Sequence, residues 1–144
     1  MHFTTHAMTG AGIGALVAQT SPTPVAAAAA LAAGLVSHAV LDSIPHKDSS
    51  TIPEVVLDVA AGIALVWWAA GSNVHPAMLL GALGGVLPDL EIVLVHFGLM
   101  RRKRIMFPSH TGLTPHRINR TAWGLWIQVP FVISGFWLAS SWLG

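Results

Sequence analysis

The chain has no cysteine and few charged residues: charged side chains make up 9% of its 144 residues. Without cysteine there are no disulfides and no thiolate metal sites, so any metal needs histidine, carboxylate or water ligands. Soluble domains carry about 25% charged residues. The low charge, 53% hydrophobic residues and mean hydropathy of +0.66 therefore indicate an integral membrane protein. A formal net charge of +1 gives no support for nucleic-acid binding.

Five apolar segments predict the architecture. They cover residues 7–19, 24–44, 54–71, 76–99 and 121–143. The first is short for a span, since a helix needs about 20 residues to cross a bilayer, and Pro88 interrupts the fourth. The sequence thus predicts an all-α polytopic membrane protein, a single domain over residues 1–144. It would be a bundle of about five transmembrane helices with a kinked fourth span.

Small residues within these segments predict close helix packing. Gly10 and Gly14, and likewise Gly81 and Gly85, are separated by three residues. This spacing lets two helix backbones approach each other closely in lipid.

The basic residues predict the orientation. Lys47 lies between the second and third apolar segments. The other six lie between the fourth and fifth: Arg101, Arg102, Lys103, Arg104, Arg117 and Arg120. Positively charged loops stay in the cytoplasm. With five spans, the N-terminus is therefore expected inside and the C-terminus outside. The missing Lys/Arg near the start argues against a signal peptide.

The strongest functional signal is the spacing of His38, Asp42 and His46 at the end of the second segment. Residues four apart lie on one helix face, so His38 and Asp42 are expected to point the same way. Pro45 would end the helix, and His46 would then reach the same site from the loop. Ionisable groups at a membrane span are functional candidates by default. The alternative is that His38 bonds within the bundle while Asp42 and His46 are solvated.

Two further carboxylates lie inside apolar segments. Asp58, in the third segment, needs a cation or a hydrogen-bond donor and is interpreted as a ligand or as a partner of one. Asp89 follows Pro88, which breaks the helix and frees backbone carbonyls. The alternative for Asp89 is a kink stabilised by an arginine or a histidine.

His110 and His116 lie in the loop before the fifth segment, with Gly112 and Pro115 between them, so the loop can bend both rings onto one ion. The alternative is a polar loop in which these two histidines have no role. A further candidate ligand, His6, lies at the start of the first segment. The combined prediction is a metal site formed by His6, His38, Asp42, His46, Asp58, Asp89, His110 and His116. Such ligands suit zinc, with manganese as the other candidate.

Two of these motifs resemble those of small bacterial membrane-bound metal-dependent hydrolases. Leu87–Asp89 matches that family's Leu-Pro-Asp, and His110–Thr114 matches its His-Arg-Gly-x-Thr, with threonine in place of arginine. The histidine that ends the family's motif lies further along this chain, at His116. The segment His38–His46 is also similar to the His-x-x-x-Asp…Pro-x-His segment of zinc-dependent phospholipases C. The resemblance implies a hydrolase of the bacterial inner (plasma) membrane.

The predicted function is hydrolysis of a phosphoester of a lipid or amphiphile at the cytoplasmic interface, through a metal-activated water. Glu91 or Asp48 is predicted as general base, and Arg117, with Arg120, as the group that neutralises an anionic substrate. The alternative is a divalent-cation transporter or channel that uses the same His/Asp site and the broken helix. It requires ligands through the bilayer depth, whereas these gather on one side. Haem binding by a pair of histidines is a third alternative, for which His38 and His96 are poor candidates because each lies near a carboxylate or an interface. A structural membrane protein without a metal is the last.

Overall fold

The computed structural model describes residues 1–20, 23–71 and 74–141, and these residues form helices joined by loops. The helices are α1 (Phe3–Ala18), α2 (Thr23–Asp42), α3 (Ile52–Ala70), α4 (Pro76–Val86), α5 (Asp89–His96), α6 (Pro108–Thr111), α7 (Trp123–Trp126) and α8 (Val129–Ser140), with a 3-10 turn at Arg102–Arg104. In the described part of the chain the only β-type pairing is one isolated bridge between His46 and Ile118. The all-α prediction is confirmed. Residues 142 and 143 of the predicted fifth segment lie outside the described residues.

Three helical stretches are long and apolar enough to cross a membrane: α2, α3 and the stretch Trp123–Ser140. Helices α4 and α5, bent by 51° at Pro88, pass the same test as a pair and form either a broken span or a re-entrant loop. Helix α1 has 16 residues, which is about 24 Å against a hydrocarbon core of about 30 Å. The structure thus supports three or four spans, and the prediction of five is not confirmed. The predicted orientation, which depended on that number, stays a prediction.

Helix α1 nevertheless lies at the centre of the bundle, in contact with α2, α3, α4 and α8. The predicted close packing is confirmed where α1 crosses α4, since a Cβ at Gly10 would overlap the carbonyl oxygen of Gly81. A Cβ at Gly85 would likewise overlap the carbonyl oxygen of His6. Small residues thus bring the start of α1 against the end of α4, just before the break at Pro88.

Gln128, at the start of α8, joins three parts of the chain on the side where α1 begins. Its Oε1 accepts hydrogen bonds from the His2 N–H at 2.9 Å and the Thr5 hydroxyl at 3.1 Å. Its Nε2 donates to the carbonyls of Lys47 and Gly124, both at 2.8 Å. The side chain is buried and all its polar atoms are satisfied, so it fixes the loop after α2 against α1 and α8.

Candidate metal centre

Seven of the eight predicted ligands come together where α2 ends, α1 begins and the chain breaks at Pro88. They form three sets in which the ligand atoms all lie within 4.8 Å of one another: His6, His38 and Asp89; His38, Asp42 and His110; Asp42, His46 and His116. Because the sets share His38 and Asp42, they make one continuous centre. We call the residues around His38 the deep cluster (His6, His38, Asp42, Asp89, His110) and those on the loops the loop cluster (His46, Asp48, His116).

A hydrogen bond at Nδ1 fixes the orientation of the His38 ring. Its Nδ1 donates to the carbonyl oxygen of Gly85 at 2.7 Å, so Nε2 carries the free lone pair. That Nε2 lies 3.2 Å from Asp42 Oδ2 and 3.6 Å from Asp89 Oδ1. A metal-binding histidine usually donates its other N–H to a carbonyl or carboxylate in this way.

His110 completes a ring of four ligand atoms with His38, Asp42 and Asp89. Its Nε2 lies 3.9 Å from Asp42 Oδ2 and 3.7 Å from Asp89 Oδ1. Two ligands of a tetrahedral zinc, each about 2.0–2.1 Å from the ion, are about 3.3 Å apart. The distances between neighbouring atoms of the ring, 3.2–3.9 Å, are thus close to this spacing or somewhat longer than it.

Several buried ring nitrogens of the deep cluster have no hydrogen-bond partner: both nitrogens of His6, Nε2 of His38 and Nδ1 of His110. The His6 ring is fully buried and stacks on His38, with 3.9 Å between the ring centroids. His6 Nε2 lies 3.4 Å from Asp42 Oδ1, yet makes no hydrogen bond in that geometry. Leaving a buried polar group unpaired costs about 1–3 kcal/mol, and a cation bound to one nitrogen of His6 and to Nε2 of His38 would remove that cost for these two atoms. The residues thus fit a metal.

The loop cluster repeats the same arrangement on a smaller scale. His46 Nδ1 donates to the carbonyl of Ile44 at 2.7 Å. Its Nε2 then faces His116 Nε2 at 3.2 Å and Asp48 Oδ1 at 3.0 Å. His116 Nε2 lies 3.7 Å from Asp48 Oδ2. Two nitrogens 3.2 Å apart match the ligand spacing of a tetrahedral zinc.

The charge states of the loop residues suit a metal as well. Burial lowers the pKa of His110 and of His116, so both rings are neutral at pH 7. Burial would raise the pKa of Asp48, but hydrogen bonding to His46 and the nearby Met1 amino group hold it well below its usual range. Neutral imidazole and ionised carboxylate are the forms that coordinate metals.

The structure does not bring Asp58, the eighth predicted ligand, into these sets. Its carboxylate accepts hydrogen bonds from the backbone N–H of Phe3 at 2.6 Å and of Thr4 at 3.0 Å, and from the Ser49 hydroxyl at 3.3 Å. The first N–H groups of a helix lack acceptors within the helix. The Asp58 carboxylate accepts hydrogen bonds from two of these groups in α1. It thereby positions the helix that carries His6.

Glu91, a predicted general base, accepts hydrogen bonds from the backbone N–H groups of Met106, at 3.1 Å, and Phe107, at 3.0 Å. These contacts fix the residues that begin α6, the helix that carries His110. Glu91 Oε2 also lies 3.9 Å from His110 Nδ1. In this geometry Glu91 positions α6, and its predicted role as a base stays a prediction.

Two further residues build the centre through other groups. The Ser109 hydroxyl, buried, donates to Asp42 Oδ2 at 2.7 Å; the sequence interpretation missed it, since its only signal was its place before His110. Arg117 contributes its backbone: its N–H donates to the Asp42 carbonyl at 2.9 Å, and its carbonyl accepts from the His46 N–H at 3.0 Å. Its side chain is exposed, and the predicted contact with substrate stays a prediction.

No protein-family model, no curated protein and no solved structure matches this chain. The resemblance to membrane-bound metal-dependent hydrolases therefore depends on the motifs alone. The function has to be argued from the geometry of the centre.

Proposed function

We propose that the chain is a membrane-embedded, metal-dependent hydrolase whose deep and loop clusters bind divalent ions, zinc in the first place. The observation that carries the proposal is the orientation of His38 and His46. In each ring Nδ1 is engaged by a backbone carbonyl, and Nε2 faces other ligand atoms at 3.0–3.6 Å. This is the arrangement that metal-binding histidines usually have.

A divalent ion bound at such a site lowers the pKa of its water to about 7 and polarises a phosphoryl oxygen. The residues supply the rest. Asp42 connects the clusters, since its oxygens face His6 and His38 at 3.4 and 3.2 Å and it also forms a set with His46 and His116. Asp48, ionised and 34% exposed, is the predicted base that faces both the centre and solvent.

The substrate class follows from accessibility and location. The His38 side chain is completely buried, but Asp89 and His116 keep 33% and 29% of their side-chain surface exposed. The centre is thus closed on the bundle side and open where α2 ends. A phosphoester of a lipid or amphiphile, entering from the membrane surface, suits this opening. Arg117 lies on the same side and is proposed to neutralise the substrate's charge.

A divalent-cation transporter is the second candidate, and one observation favours it. Helices α4 and α5 are broken at Pro88 with a 51° bend, and Asp89 follows the break, as in discontinuous helices at transport sites. Against it, the packed core around α1 away from the centre consists of Ala, Met and Val residues. In the described residues, His75 is the one ionisable group towards the opposite end of the bundle.

The test is elemental analysis of the detergent-purified protein, combined with hydrolysis of phosphatidic acid in mixed micelles. We expect near-stoichiometric zinc or manganese and phosphate release that a chelator abolishes. His38→Ala and Asp89→Ala should lose both. His96→Ala is the matched control, since His96 is exposed at the end of α5, and should lose neither.

Folded, metal-free protein that is unchanged by His38→Ala would contradict the proposal. Metal binding without hydrolysis, together with zinc uptake into proteoliposomes that requires Asp89, would favour the transporter.

A further inference from the structure

A cavity of about 420 Å³ opens beside the loop cluster, lined by Lys47, Asp48, Ser49, Ser50, Ile118 and Arg120. We call it the headgroup pocket. It lies within the usual size range of small-molecule sites, about 300–1,000 Å³. It is large enough for a phosphate group together with part of the group that the phosphate esterifies.

The walls of the headgroup pocket are two loops held together by backbone hydrogen bonds. His46 and Ile118 form the isolated parallel bridge, in which the Asn119 N–H donates to the His46 carbonyl at 2.5 Å. The Lys47 N–H donates to the Gly124 carbonyl at 3.0 Å, and Gln128 holds the Lys47 carbonyl at 2.8 Å. The backbone that carries the lining side chains is thus fixed.

In the described part of the chain, neither cation of the pocket forms an ion pair of 4.0 Å or less with a carboxylate, although Lys47 and Glu54 interact electrostatically at longer range. Every ion pair of 4.0 Å or less in the described residues has a histidine or the Met1 amino group as its cation. Lys47 and Arg120 therefore line one cavity without a carboxylate at that distance. Arginine and lysine in such a position bind phosphate well, arginine through its planar fork and lysine as a compact charge.

The pocket also adjoins the metal ligands. Asp48 lines it and, at the same time, lies 3.0 Å from His46 Nε2 and 3.7 Å from His116 Nε2. The Met1 amino group pairs with Asp48 Oδ1 at 2.6 Å, so this carboxylate opposes an anion in the pocket less than an unpaired one would. An anion held by the two cations lies next to the loop cluster.

We propose that Lys47 and Arg120 bind the phosphate group of the substrate in the headgroup pocket and so present its ester bond to the loop cluster. This inference rests on the proposed function and adds the residues that select a phosphorylated substrate. Ile118, half-exposed at the rim, supplies an apolar contact for the remainder of an amphiphile.

The test measures phosphate binding separately from metal binding and from turnover. The full chain, purified in detergent, is loaded with zinc, desalted and analysed for zinc. It is then titrated calorimetrically with inorganic phosphate and, separately, with dihexanoyl phosphatidic acid. Lys47→Ala/Arg120→Ala is compared with Arg102→Ala/Lys103→Ala, which removes the same charge from the exposed 3-10 turn.

We expect Lys47→Ala/Arg120→Ala to bind both ligands at least about tenfold more weakly with an unchanged zinc content, because two charge-assisted hydrogen bonds are removed. The control should bind like the native protein. Tighter binding of phosphatidic acid than of phosphate would identify a lipid headgroup as the source, whereas equal binding would support a pocket that recognises phosphate alone.

Equal affinities of native protein and Lys47→Ala/Arg120→Ala, or no phosphate binding by the native protein, would overturn the inference. Absence of zinc from the native protein would instead contradict the proposed function. The same titrations on that metal-free protein would still decide whether the pocket binds phosphate.

Discussion

The deep cluster and the loop cluster present the same ligand chemistry on different supports. His6, His38 and Asp42 are fixed on α1 and α2 and are almost completely buried. In the loop cluster only His46 is fully buried, while Asp48 and His116 keep 34% and 29% of their side-chain surface exposed. Ligands on helices hold their geometry better than ligands on loops. The deep cluster is therefore the candidate for a permanently bound ion, and the loop cluster for the ion that meets substrate.

Asp42 belongs to the deep cluster, but its carboxylate also lies within 4.8 Å of ligand atoms of His46 and His116 in the loop cluster, so its removal should give the largest effect. We expect Asp42→Asn to reduce the metal content of both, whereas His46→Ala should reduce that of the loop cluster alone. In Asp42→Asn, the loss of metal affinity should exceed the 10–100-fold that is typical for removal of a group outside the ligand shell. Elemental analysis after dialysis against graded chelator concentrations measures how much metal each of the two clusters retains. If Asp42→Asn and His46→Ala lose the same amount, the two clusters are not connected through Asp42.

The long helices that carry the deep cluster were predictable from the sequence. The apolar segments located the long helices, and Pro88 located the break, because proline cannot continue a helix without losing a hydrogen bond. The number of spans was not predictable from hydropathy, since α1 is apolar but has only 16 residues. A short helix can be surrounded by others at the centre of a bundle, and this is a property of tertiary packing.

Membership of the clusters was predictable where a polar group is costly in apolar surroundings, and this applies to His38, Asp42 and Asp89. Asp58 meets the same criterion, yet its partners are the N–H groups of Phe3 and Thr4, more than 50 positions away in the sequence. Sequence spacing cannot distinguish a carboxylate that binds a cation from one that caps a distant helix. Ser109 had no periodic pattern that would connect it with Asp42.

A smaller effect is expected from Ser109→Ala, because the serine orients a ligand and does not bind the ion itself. Loss of its 2.7 Å hydrogen bond to Asp42 Oδ2 should weaken metal binding at the deep cluster by about tenfold, the lower end for outer-shell partners. Competition with a fluorescent zinc chelator measures the affinity. Thr111→Val is the control on the same helix, since among the described residues its exposed hydroxyl bonds only the Pro108 carbonyl. An equal loss in both variants would mean that α6 is disturbed as a whole.

The smallest effect is expected from Glu91→Gln, which tests whether the support of His110 matters to the deep cluster. The amide oxygen still accepts from the N–H groups of Met106 and Phe107, but more weakly than a carboxylate does. We expect a decrease of about twofold to fivefold in zinc affinity, with the stoichiometry unchanged, since α6 is loosened without loss of a ligand. Glu54→Gln is the matched control, because Glu54 accepts from the backbone of Ser50 and Thr51 at the start of α3. Complete loss of the ion in Glu91→Gln would instead show that Glu91 is itself a ligand.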